Sequence, residues 1–87
     1  MKPRHPVHPG EMLLEEFLRP AGVSQRQFAG KLGWTPGKLN ELVKGKRGIT
    51  ADSALDLAKA LGTSPELWMN LQMMWDLRRA EARRKAS

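Results

Sequence analysis

The chain has no cysteine and no tyrosine, and only two phenylalanines among its 87 residues. Without cysteine there is no disulfide, no zinc finger and no thiol nucleophile. No apolar run approaches the roughly 20 residues that a membrane span needs. The opening residues, MKPRHPVHPG, lack the apolar stretch of a signal peptide. These absences make a soluble cytoplasmic protein, with no membrane partner, the expectation. Acid is scarce as well: nine Asp and Glu stand against fifteen Lys and Arg, for a formal charge of +6. A chain of this length allows one domain with one core. Its charge calls for an anionic partner.

The basic residues are not spread evenly. Arg26, Lys31, Lys38, Lys44, Lys46 and Arg47 lie within residues 24–47, where Glu41 is the sole acid. Arg78, Arg79, Arg83, Arg84 and Lys85 crowd residues 78–87 around Glu81. The remainder is net acidic. Composition leaves the second cluster open to DNA, RNA or an acidic protein, or to a simple helix end.

Periodicity predicts an all-α domain of five helices. Residues 1–9, with three prolines, read as an extended arm. A first helix begins at about Gly10 and runs to about Arg19, with Met12, Leu13, Phe17 and Leu18 apolar and Pro20 and Gly22 as stops. A second covers Gln25 to Leu32, with Ser24 and Gln27 as a capping box and Val23 and Phe28 as a staple. Gly33 ends it. A third starts from Thr35 and Pro36, buries Leu39, Leu42 and Val43, and stops at Gly45. A fourth follows Thr50 and ends at Gly62, burying Ala54, Leu57, Ala58 and Leu61. Ser64 and Pro65 open a fifth, which ends in the Arg78–Arg84 region. The domain is thus expected over residues 10–78, with 79–87 as a basic tail.

The second and third helices have the spacing of a helix-turn-helix. Ala29 is small enough for a close crossing, and Gly33 tolerates the positive φ of a tight turn. Such a unit places the start of its second helix in the major groove, while the first crosses the backbone. Gln25 then suits a phosphate oxygen. Lys38 can reach guanine O6 and N7, and Glu41 can accept from a cytosine amino group. Gly37 permits close approach. Lys44, Lys46 and Arg47 suit phosphates, and Asn40 faces either a phosphate or an adenine.

The fifth helix is more apolar than one core contact requires. Trp68, Leu71 and Trp75 make one stripe; Met69, Met73 and Leu77 make another, with Met74 beside it. A helix packed on a small core buries one stripe. Self-association is the simplest use of the second, and the interface candidates are Trp68, Met69, Leu71, Met73, Met74, Trp75 and Leu77. A two-fold dimer sets two recognition helices roughly 34 Å apart and implies a palindromic site on double-stranded DNA. Catalysis has little to stand on. His5 and His8 lack a third ligand, Glu15 and Glu16 diverge by about 100° on a helix, and no nucleophile triad or phosphate loop is present. No enzyme, metal or cofactor is expected.

Ser24-Gln25, Phe28-Ala29, Gly33, Leu39, Leu42, Gly45-Lys46 and Ala58-x-x-Leu61-Gly62 resemble the XRE (lambda-repressor-like) helix-turn-helix family. Three further motifs resemble its HigA-type, or VapI-like, antitoxins: His8-Pro9-Gly10-Glu11-x-Leu13, the run from Gly45 to Asp52, and Ser64-Pro65-Glu66-x-Trp68-x-Asn70-Leu71-Gln72 with Asp76-Leu77. The resemblance spans about residues 6–78. It implies a five-helix lambda-repressor-like fold and an antitoxin of a type II toxin–antitoxin module. Such an antitoxin inhibits a HigB-type toxin, a RelE-like ribonuclease, and represses its own operon as a homodimer. Family DNA contacts fall here on Gln25, Thr35, Gly37, Lys38, Glu41 and Lys46. Trp34 and the pair Pro36-Gly37 depart from the family pattern, which expects a small aliphatic residue and a polar pair there. A stand-alone repressor, or a toxin-binding protein with a vestigial helix-turn-helix, are the alternatives.

Overall fold

A computed structural model describes residues 7–86 as helices joined by short turns. In chain order these are α1 (residues 9–21), α2 (Gln25–Leu32), α3 (Pro36–Val43), α4 (Ala51–Leu61) and α5 (Pro65–Ala86). No strand occurs among the described residues. The all-α, five-helix expectation holds.

Four helices start by one device. The Oγ of Ser24 accepts from the Gln27 N–H at 3.1 Å, and the Gln27 Oε1 accepts from the Ser24 N–H at 3.0 Å, completing the capping box. Thr35 caps α3 through the Lys38 N–H at 3.2 Å, and Thr50 caps α4 through the Ser53 N–H at 3.2 Å. Ser64 caps α5 through the Leu67 N–H at 3.1 Å. Each satisfies a donor that the first helical turn leaves without a partner.

The first helix departs from expectation at both ends. It begins at Pro9, with His8 as its N-cap: the imidazole Nδ1 accepts from the Gly10 N–H at 2.9 Å. Extended backbone therefore stops at His8. Residues 1–6 of the expected arm, His5 among them, lie outside the described residues. At the other end Pro20 does not stop the helix, which runs on to Ala21 before Gly22 turns the chain at φ 67°. A π-helical turn over Leu14–Leu18 precedes it, and the Arg19 N–H bonds back to the Leu14 carbonyl. A proline ring clashes with the carbonyl four residues back in a regular α-helix. The widened turn lets the chain pass Pro20 without ending.

The last helix also exceeds its expected length. Residues 79–86, expected as a separate tail, continue α5 to Ala86, and Ser87 lies outside the described residues. Ala80, Glu81, Ala82 and the arginines are strong helix formers, and Arg78 pairs with Glu81 one turn on.

The helices close on one core. Leu13 and Leu18 of α1, Phe28 and Ala29 of α2, Leu39 and Leu42 of α3, and Ala54 and Leu57 of α4 are buried in it. Trp68 of α5 sits at its centre with no exposed surface. Its indole N–H donates to the Thr63 hydroxyl at 2.8 Å, and its ring lies 5.5 Å from that of Phe17. Burying such a side chain contributes about 1.5–3 kcal/mol.

Candidate nucleic-acid interface

The helix-turn-helix is built as its spacing requires. Ala29 is 1% exposed where α2 meets α3. Gly33 holds φ at 74°, and the Trp34 N–H bonds back to the Ala29 carbonyl at 3.0 Å. A second tie crosses the pair: Asn40 Nδ2 donates to Gln25 Oε1 at 3.3 Å. Asn40, expected to face a phosphate or a base, is thus half-buried and links the two helices. The bond uses the carbonyl of Gln25, so its amide N–H groups stay suited to a phosphate oxygen.

The turn carries a feature that spacing did not reveal. Trp34 is buried, and its indole N–H donates to Asp56 Oδ2 on α4 at 2.9 Å. The ammonium of Lys38 lies 4.2 Å from the centre of the Trp34 ring. The departure from a small turn residue therefore has two effects. It ties the turn to α4, and it gives Lys38 a resting place by cation–π attraction. Buried indole N–H groups need acceptors, so a tryptophan in this turn was the signal for a partner such as Asp56.

The outward face of α3 is sparse at its start. Thr35, Pro36 and Gly37 are exposed. A Cβ on Gly37 would meet no atom within 4 Å, so no contact inside the chain requires glycine there. Farther along, Glu41 and Arg47 engage each other: Arg47 Nε and Nη2 reach Glu41 Oε1 at 3.1 and 2.7 Å. Both are half-exposed, and such a pair is worth about 0–1 kcal/mol. DNA can separate it cheaply. Lys44 and Lys46 are exposed on either side of Gly45, whose φ of 78° turns the chain after α3.

The loop after α3 is moored to α5. Gln72 Oε1 accepts from the Ile49 N–H at 2.7 Å, while Gln72 Nε2 donates to Asp76 at 3.0 Å. A Cβ on Gly48 would come within 3.0 Å of Gln72. The exposed basic loop is therefore seated against a rigid helix.

His8 sits at the meeting point of α1, α3 and α5. Its ring meets Trp75 edge-on at 5.0 Å, and a Cβ on Gly45 would lie 3.8 Å from it. Burial holds its pKa below the ordinary 6.5; Asp76 and Glu11 pull upward, and Arg79 adds to the lowering. With Nδ1 accepting from Gly10, the proton of the neutral ring is on Nε2. This is a capping and packing histidine. Among the described residues no group of three or more His, Cys, Asp or Glu can hold a metal.

The two stripes of α5 separate cleanly. Trp68 is core, so it is removed from the interface candidates: its surface is already covered within the chain. Leu71 and Trp75 are half-buried, the latter against His8. Met69, Met73, Met74 and Leu77 are exposed, together with Leu67. Among the described residues no helix is long and apolar enough to cross a membrane.

Known proteins share this arrangement. A helix-turn-helix family model matches residues 14–68. The chain is 45% identical over 75 residues to virulence-associated protein I of Dichelobacter nodosus, covering 86% of this chain and 69% of that protein. It is 41% identical over 78 residues to antitoxin HigA-1 of Vibrio cholerae, covering 86% and 73%. The structure of the Pseudomonas aeruginosa antitoxin HigA with the higBA promoter matches it with a TM-score of 0.89 at 38% identity, covering 94% of this chain and 89% of that one.

Proposed function

Because the chain belongs to the XRE-type helix-turn-helix family, among its HigA-like antitoxins, we propose that it represses its own operon as a homodimer and neutralises a HigB-type toxin. The observation that carries the DNA reading is the surface formed by Thr35, Gly37, Lys38, Lys44 and Lys46. It is open to solvent at four of those five residues, with Lys38 partly covered. A turn locked by Trp34 and Asp56 holds that surface in place. Gln25 and the first turn of α2 serve one phosphate, Lys44, Lys46 and Arg47 serve others, and Lys38 leaves Trp34 to read a base edge. Glu41 reads a base only after Arg47 releases it.

The exposed stripe of Met69, Met73, Met74 and Leu77 supports the homodimer. Methionines fill irregular contacts well. A two-fold axis beside α5 would pair two recognition helices on an inverted repeat. The toxin reading rests on kinship with HigA antitoxins. Exposed Glu11, Glu15 and Glu16 on α1 offer acid to a basic ribonuclease.

Two measurements test the proposal. In a gel shift, the chain should bind the duplex upstream of its own gene in preference to a scrambled duplex. Co-expressed with the small basic reading frame beside its gene, it should relieve growth arrest and co-purify with that product. Equal binding to both duplexes contradicts the repressor role. Arrest that persists at full antitoxin level contradicts neutralisation.

A further inference from the structure

The basic end of α5 is not absorbed by any role above. Arg79 and Arg83 follow Gln72 by seven and eleven residues, which on an α-helix places all three within roughly 20° of one direction. Gln72 is the residue that bonds the Ile49 N–H of the basic loop at 2.7 Å. The face of α5 that holds the loop therefore continues into Arg79 and Arg83, about 10 and 16 Å farther along the axis. A second chain of contacts agrees: Gly45 packs toward His8, His8 lies on Trp75 at 5.0 Å, and the Arg79 guanidinium lies 5.5 Å from the Trp75 ring. Arg79 and Arg83 are exposed.

We propose that Arg79 and Arg83 extend the basic surface of Lys44, Lys46 and Arg47 along α5, and that this extension binds the phosphate backbone of duplex DNA outside the bases read by α3. It rests on the DNA-binding reading above. Arg79 and Arg83 are about 6 Å apart along the axis, a spacing that suits neighbouring phosphates, which advance 3.4 Å along the axis per nucleotide of one strand. A helical row of arginines carries no base code, so it adds affinity without adding sequence preference.

The test uses the full chain and the double variant Arg79→Gln/Arg83→Gln, with Arg79→Lys/Arg83→Lys as the charge-retaining control and circular dichroism to verify the helix. Binding to the own-promoter duplex and to a scrambled duplex is measured by anisotropy over a range of salt concentrations. The slope of log affinity against log salt should fall by roughly 0.9 for each phosphate lost. It should fall equally on both duplexes, leave their affinity ratio unchanged, and return with lysine. An unchanged slope in the glutamine variant, with the wild type still binding, overturns the inference and leaves the DNA reading standing. Loss confined to a single-stranded RNA of equal length also overturns it, since the arginines then serve RNA. If the wild type binds neither duplex, the DNA reading falls and takes the inference with it.

Discussion

A Cβ built on Gly10 would stand 1.8 Å from the carbonyl oxygen of Leu42, so the start of α1 rests directly on the backbone of the recognition helix. The contact lies beside the His8 cap, and it explains in physical terms why a glycine follows Pro9. Gly10→Ala must push α1 away from α3. The expected cost is about 3 kcal/mol, at the upper end for overpacking. That lowers the melting temperature by about 10 °C or more in a domain of this size. Thermal unfolding followed by circular dichroism checks it; an unchanged midpoint would show that α1 does not sit on Leu42.

Gly37 predicts the opposite sign. Its added Cβ would meet nothing inside the chain, and alanine favours the helix by about 0.5–1 kcal/mol over glycine. Gly37→Ala should raise stability by that amount. If α3 lies close in the groove, it should also weaken operator binding by about tenfold, or about 1.4 kcal/mol. Stability and affinity rising together would place Gly37 away from the DNA.

His8 sets a pH dependence. Its folded pKa lies below the ordinary 6.5, chiefly through burial. The unfolded chain therefore takes up this proton first as pH falls. The neutral histidine's contribution is complete above about 6.5 and is lost as pH drops below that value toward the lower folded one. Protonation also places a hydrogen on Nδ1, which then cannot accept from Gly10. Denaturant midpoints compared between wild type and His8→Asn, a capping residue that does not titrate, should diverge below about pH 6.5. Parallel curves would mean that His8 titrates as it does in the unfolded chain.

Leu77 and Met73 test the pairing of two chains. They are 47% and 49% exposed on the unpartnered side of α5. Leu77→Glu should shift the mass measured by light scattering from two chains toward one, while helical content stays constant. Trp75 is a poor probe of the same question, because it packs on His8 within its own chain. A Leu77→Glu protein that stays dimeric at micromolar concentration argues against this stripe as the interface.

Most of the fold was legible because local chemistry and tertiary packing agree in it. Ser24, Thr35, Thr50 and Ser64 announce helix starts through hydroxyls that act within three residues. Gly33 announces a turn for an equally local reason. What escaped depends on distant partners or on a compromise in backbone geometry. The passage through Pro20 needed a π turn that periodicity does not signal. The bonds Trp34–Asp56 and Ile49–Gln72 join residues 22 and 23 positions apart. The two stripes of α5 were visible, but only packing could show that Trp68 belongs to the core and Met73 to the surface. Of the DNA-contact candidates, Gln25 and Asn40 are joined, Glu41 and Arg47 are joined, and Lys38 rests on Trp34. Gly37, Lys44 and Lys46 stand exposed as expected.

In the proposed function Lys38, poised over Trp34 at the start of α3, is the side chain that reads sequence in DNA. The most direct measurement is the affinity of wild type and Lys38→Ala for the own-promoter duplex and for a scrambled duplex of equal length. The substitution should cost about 1–3 kcal/mol on the own-promoter duplex. It should cost much less on the scrambled one, so that the ratio between them collapses. Equal affinities of the two proteins for the promoter duplex, or an equal loss on both duplexes, would contradict it.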